Sequence, residues 1–147
     1  MPKQKRYLIA FLGLAVFGLG YAAGQFAAFE SVAQAQGERI FEMRTYTALP
    51  GRLDALNARF RDHTTRIFEK HGMTNIGYWT PQEAPLAENT LVYILAHDSR
   101  EAGQASWDAF RADPEWAQVS EESQRDGRIV EGVDVLWLEA TDYSKIK

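Results

Sequence analysis

Glu42, Arg44 and Tyr46 occupy every second position of one short segment, and a strand would line them up on a single face. An arginine there can grip a carboxylate through two parallel hydrogen bonds, and a phenol can donate a hydrogen bond or a proton. The row suits an anionic or carbonyl ligand. The same spacing also lets Glu42 and Arg44 neutralise each other, within one chain or across a subunit boundary, with Tyr46 closing the end. Both readings stay open on the sequence.

His63 and His71 are eight residues apart on one helical segment, about 12 Å along the axis, too far to ligate one metal ion together. No H-E-x-x-H pattern occurs and no metal site is expected. His71 falls on the apolar stripe beside Gly72 and reads as a histidine serving the last carbonyls of its helix. His63, at the edge of that stripe, is the candidate for proton transfer or for facing a ligand. Tyr78, Trp79, Tyr93, Trp107, Phe110, Trp116 and Trp137 form an aromatic-rich set that can pack a core or line a cleft for a flat ligand. The candidate ligand-binding residues are therefore Arg44, Tyr46, His63, Tyr78 and Trp107.

Several chemistries are excluded outright. The chain has no cysteine, so thiol catalysis, thiolate metal sites and disulfides are absent. It lacks a G-x-S-x-G nucleophile elbow and a glycine-rich phosphate loop after a strand. Glu121, Glu122 and Asp126 read as a solvated helical face. The formal net charge is −4, which makes nucleic acid an unexpected partner.

The elements that must hold these residues follow from periodicity. Residues 40–47 alternate as a strand that Pro50-Gly51 ends. Leu53, Leu56, Phe60, Ile67 and His71 then recur at helical spacing, with Arg59, Arg61, Asp62 and Arg66 placed mostly outside and Gly72 as the stop. Residues 73–80 and 90–97 read as two strands joined by a loop short enough only for an antiparallel return. Asp98 can cap a third segment, helical, with Glu101 three residues on, and Asp113-Pro114 starts a further helix. Residues 129–138 make the last strand.

The order β-α-β-β-α-α-β, with right-handed crossovers, points to an α+β ferredoxin-like domain: one four-stranded antiparallel sheet with its helices on one face. Strand 90–97 is apolar on both sides, as is much of 129–138. One helical layer cannot cover both, so a homodimer is expected.

The N-terminus reads as an export signal. Lys3, Lys5 and Arg6 precede an apolar run from residue 8 to 29, and Ala33-Gln34-Ala35 offers a cleavage site before Gln36. The expectation is a signal peptide over residues 1–35 and a domain over 38–147 that is periplasmic or secreted. The alternative is an uncleaved anchor holding the domain at the inner membrane, since about 20 apolar residues can span a bilayer.

Residues 41–80, together with SWDAFRADPEW (106–116) and the closing GVDVLWL, resemble a NIPSNAP domain. The resemblance covers nearly everything after residue 38. It implies a dimeric α+β barrel, with no cofactor assigned and no fixed reaction. That superfamily includes cofactor-free quinone-forming monooxygenases and haem-degrading monooxygenases. The tryptophan-bearing segment 106–119 is similar to one in both groups. The haem-degrading group carries a histidine on the helix that follows, and residues 115–126 contain none, so a haem would have to fall to His63, His71 or His97. Two functions stay open: a domain binding a small hydrophobic or anionic ligand or a protein partner, and an oxidoreductase that deprotonates an aromatic substrate near His63 or Tyr46.

Overall fold

The computed structural model describes residues 39–147; the expected export signal lies outside the described residues. Four strands, β1 (Ile40–Ala48), β2 (Thr74–Trp79), β3 (Thr90–His97) and β4 (Val130–Glu139), form one antiparallel sheet in the order β2-β3-β1-β4. That is the ferredoxin-like order expected from the sequence. β1 takes a central place, so a residue on it is flanked on both sides: Glu42 by Leu95 and Trp137, Arg44 by Tyr93 and Val135, Tyr46 by Leu91 and Val133.

The chain between β1 and β2 is α1 (Leu53–Arg59), a π turn (Phe60–Thr64) and α2 (Thr65–Lys70). The expected single amphipathic helix is thus interrupted. Within the π turn the Thr65 N–H reaches back to the Phe60 carbonyl, and the Thr64 hydroxyl donates to the Arg59 carbonyl at 3.1 Å. The extra residue shifts the phase of the stripe, so that Thr64, Ile67 and Phe68 continue the buried face begun by Leu56 and Phe60. Gly72, at φ +78°, ends α2: its N–H bonds to the Glu69 carbonyl, and that of Met73 to the Phe68 carbonyl.

Two further helices, α3 (Arg100–Ala112) and α4 (Pro114–Ser123), join β3 to β4. Ser99, rather than the expected Asp98, caps α3, accepting from the Ala102 N–H. Only a side chain whose backbone is already extended at the junction can turn back onto the first turn, and Ser99 has that conformation. Asp113 caps α4 as anticipated, accepting from Glu115 N–H at 2.8 Å.

The described helices lie on one face of the sheet, over a core of Leu56, Phe60, Ile67, Phe68, Leu91, Tyr93, Leu95, Trp107 and Phe110. They press on β2 and β3. Over β4 the helix-facing residues Val133 and Val135 stay 41% and 38% exposed. On the opposite face Phe41, Met43, Ile94, Leu136 and Leu138 form an apolar sheet surface. Ile146 borders it, and Arg39 Nε donates to the Lys147 carbonyl at 2.9 Å, which draws the C-terminal segment to one end.

Candidate ligand-binding cleft

Glu42 is the centre of the site although almost no solvent reaches it. Its Oε2 accepts from Trp107 Nε1 at 2.6 Å and from His97 Nε2 at 3.0 Å, while Oε1 lies 3.1 Å from Arg44 Nε. Burial alone would raise its pKa, but the hydrogen bonds from His97 and Trp107 and the Arg44 charge together hold it below the ordinary carboxylate value. The bond to Glu42 fixes the proton of His97 on Nε2 and leaves Nδ1 buried without a partner. α3 reaches this depth because position 103 is glycine. A Cβ there would come within 2.8 Å of the Trp137 ring and 2.9 Å of the His97 ring.

Arg44 is committed on two sides. It pairs with Glu42, and its guanidinium carbon stands 3.9 Å from the centre of the Trp107 ring. Its Nε–H is not aimed at a hydrogen-bond acceptor, so the pairing is one of charge. A groove of about 330 Å³ opens beside it, lined by Gln104, Trp107, Asp108, Arg111, Val135 and Trp137. A second groove, about 470 Å³, begins at Tyr46 and Val133 and is walled by Arg59, Gln124, Arg128 and Val130. Because Tyr46 faces Val133, Arg44 faces Val135 and Glu42 faces Trp137, the two grooves are successive sections of one trough along the uncovered helix side of β4.

Of the five candidate residues, the structure brings Arg44 and Trp107 into contact and puts Tyr46 in the next section of the same trough. Tyr78 is elsewhere: it stacks on Tyr93 at 5.3 Å and donates to Asn75 Oδ1 at 2.5 Å. Burial pushes its phenol well above the usual value, which removes it from proton transfer near neutral pH. His63 is exposed and lines a separate groove with Ala58, Asp62, Val119 and Glu122. Trp107 lines a different groove, beside Arg44.

Two sequence-based placements change. His71 does not serve the carbonyls of its helix; its Nε2 meets Asp113 Oδ2 at 2.6 Å, where Lys70 Nζ also arrives at 2.7 Å. Hydrogen bonds from Lys70, His71 and the Glu115 N–H hold the Asp113 carboxyl well below the carboxylate range. This clasp ties the end of α2 to the α3–α4 junction. Arg59 is not outside but 7% exposed. Its spacing, three residues after Leu56, is that of the core stripe, although its charge reads as solvent-facing. Glu42 and His97 as a buried pair were less legible, because their contact spans 55 residues.

Among the described residues no group of three His, Asp or Glu side chains is arranged to hold a metal ion. The NIPSNAP family model matches residues 41–145. Among solved structures, the chain is similar to a NIPSNAP family protein of unknown function from Agrobacterium tumefaciens (22% identity, 76% of this chain and 96% of that one, TM-score 0.66). A NIPSNAP-like domain protein from Burkholderia xenovorans is similar at 20% identity, over 73% of this chain and 89% of that one, with a TM-score of 0.63. A second Agrobacterium tumefaciens NIPSNAP family protein aligns at 19% identity, over 75% and 92%, with a TM-score of 0.64. These likenesses concern the fold. No curated protein sequence matches the chain.

Proposed function

The chain belongs to the NIPSNAP family, and from that premise we propose that it is an exported, homodimeric domain that binds a small, partly apolar molecule in the trough between β4 and the α3–α4 pair. The observation that carries this reading is the exposure of Val133 and Val135 on the side of the sheet that the helices otherwise cover. A fold that buries β3 on that side yet leaves β4, on the far side of β1, bare keeps an apolar floor available, with Trp107 and Trp137 as its aromatic wall. The dimer accounts for the other bare surface, around Leu136 and Leu138. The basic and apolar run before Gln36 supports export.

The test uses a neutral apolar dye, Nile red, on the domain beginning at Gln36. Val135→Asp places a charge on the trough floor and is expected to abolish the fluorescence gain. Leu136→Asp, on the opposite face of the same strand, is expected to leave it. Loss of signal in Leu136→Asp alone would assign the dye to the outer sheet face and end the proposal.

A further inference from the structure

We infer that Arg59 is the anchor of a carboxylate-binding subsite at the Tyr46 end of the trough. The inference deepens the ligand-binding reading and rests on it, but its evidence is independent. Arg59 is more than nine-tenths buried, yet among the described residues its side chain makes no ion pair and no hydrogen bond, and its Nε is sealed from solvent without a partner. Arg44, in the next section of the trough, is already neutralised by Glu42. The Arg59 guanidinium carbon stands 5.5 Å from the centre of the Trp116 ring, and the neutral phenols of Tyr46 and Tyr93 act on its charge; Tyr93 also keeps a buried hydroxyl without a partner. Burial lowers the Arg59 pKa, but a guanidinium does not give up its proton in a protein. A mostly buried positive charge therefore faces the Trp116 ring, but among the described residues no carboxylate pairs with it, an arrangement that a bound anion relieves.

The backbone adds a second sign. The π turn begins at the residue after Arg59, and the Arg59 carbonyl is taken by the Thr64 hydroxyl instead of by the regular helical ladder alone. Such irregular turns recur at functional sites.

Arg59 borders two grooves, and charge chooses between them. The outer one, beside His63, carries the carboxylates of Asp62 and Glu122. The Tyr46 section of the trough carries Arg128 and the single carboxylate of Glu131. An anion is repelled from the first and accepted by the second. With Arg59 and Arg128 set against Glu131, the excess is one positive charge, which matches a carboxylate better than a doubly charged phosphate. A planar carboxylate also fits the fork of a guanidinium. The ligand class is a small apolar carboxylic acid, its body on Val133 and Val135 and its head at Arg59.

The experiment compares 2-naphthoate with the neutral 2-naphthamide by calorimetry on the domain starting at Gln36. Naphthoate is expected to bind about tenfold tighter or more, a preference that Arg59→Met erases and Arg59→Lys keeps in part. Without ligand, Arg59→Met should melt at the same temperature or higher, because it removes an uncompensated charge; a merely structural arginine would show the opposite. Equal binding of the two probes, lost in Val135→Asp, would overturn the carboxylate subsite and keep the trough. Absence of binding by either probe would overturn both.

Discussion

The indole nitrogen of Trp107 donates to the carboxylate of Glu42 across 2.6 Å, and this one bond fastens α3 to the central strand through a buried charge. The same carboxylate receives His97 from the end of β3 and pairs with Arg44 two residues along its own strand. Three elements thus share one anion. Its arginine is consumed in the process, whereas Arg59, also buried in the trough, has no ion pair among the described residues.

Arg44→Ala is therefore expected to act first on stability. Glu42 would keep its two hydrogen bonds but lose the opposite charge in a site almost without solvent, a cost of about 3 kcal/mol, the low end for breaking a buried pair. Glu42→Gln in the same chain should recover much of it, since a neutral amide still accepts from one donor. Urea melts of the single and double variants measure this. A double variant no more stable than Arg44→Ala would mean that the pair is not the structural unit inferred here.

Acid should unfold the domain through the same group. The folded Glu42 carboxyl, and that of Asp113, titrate below their ordinary values. A lowered folded pKa means stability that is fully present above the unfolded value, about 4.3 for Glu and 3.9 for Asp, and is lost as pH falls through the folded one. Melting temperatures should be level from about pH 5 to 7 and drop below about pH 4. In Glu42→Gln that acid limb should become shallower, and an unchanged limb would show that Glu42 does not carry the effect.

The strands and their partners were legible because alternation is local: residues 90–97 coincide with β3, and 40–47 miss only the last residue of β1. The face shared by Glu42, Arg44 and Tyr46 followed from the same period. What sequence could not supply was depth. Arg59 stands at a stripe spacing, but its charge reads as solvated, and how deeply it is buried is set by packing that no local period encodes. His63 reads as central by its type, and the path of the helix puts it in a different groove from Trp107. The π turn has no periodic signature at all, since one added residue looks like ordinary noise in an apolar stripe.

Export carries its own test. If signal peptidase acts after Ala35, the intact mass of the protein recovered from outside the cytoplasm corresponds to a chain beginning at Gln36. Replacing Ala33 and Ala35 together by bulky leucines should stop the cut and hold the chain in the membrane fraction. Recovery of the wild-type protein there with Met1 in place would favour the anchor over residues 8–29.

The homodimer is the prediction with most surface behind it. Leu136 and Leu138 are 54% and 37% exposed on the face away from the helices, beside Met43 and Ile94, and among the described residues no second layer covers the two leucines. The C-terminal segment around Ile146 reaches only one end. A stable association buries about 1,200–2,000 Å² in total, which a sheet face on each protomer can supply. Light scattering at about 10 μM should give twice the chain mass for the domain beginning at Gln36. Leu136→Asp should give a monomer, because a carboxylate in the middle of a dry sheet-to-sheet contact is left without a partner. The change touches no core residue of the protomer, so circular dichroism should stay that of the folded domain. A wild-type protein that scatters as a monomer would remove the dimer and leave the apolar face without its proposed cover.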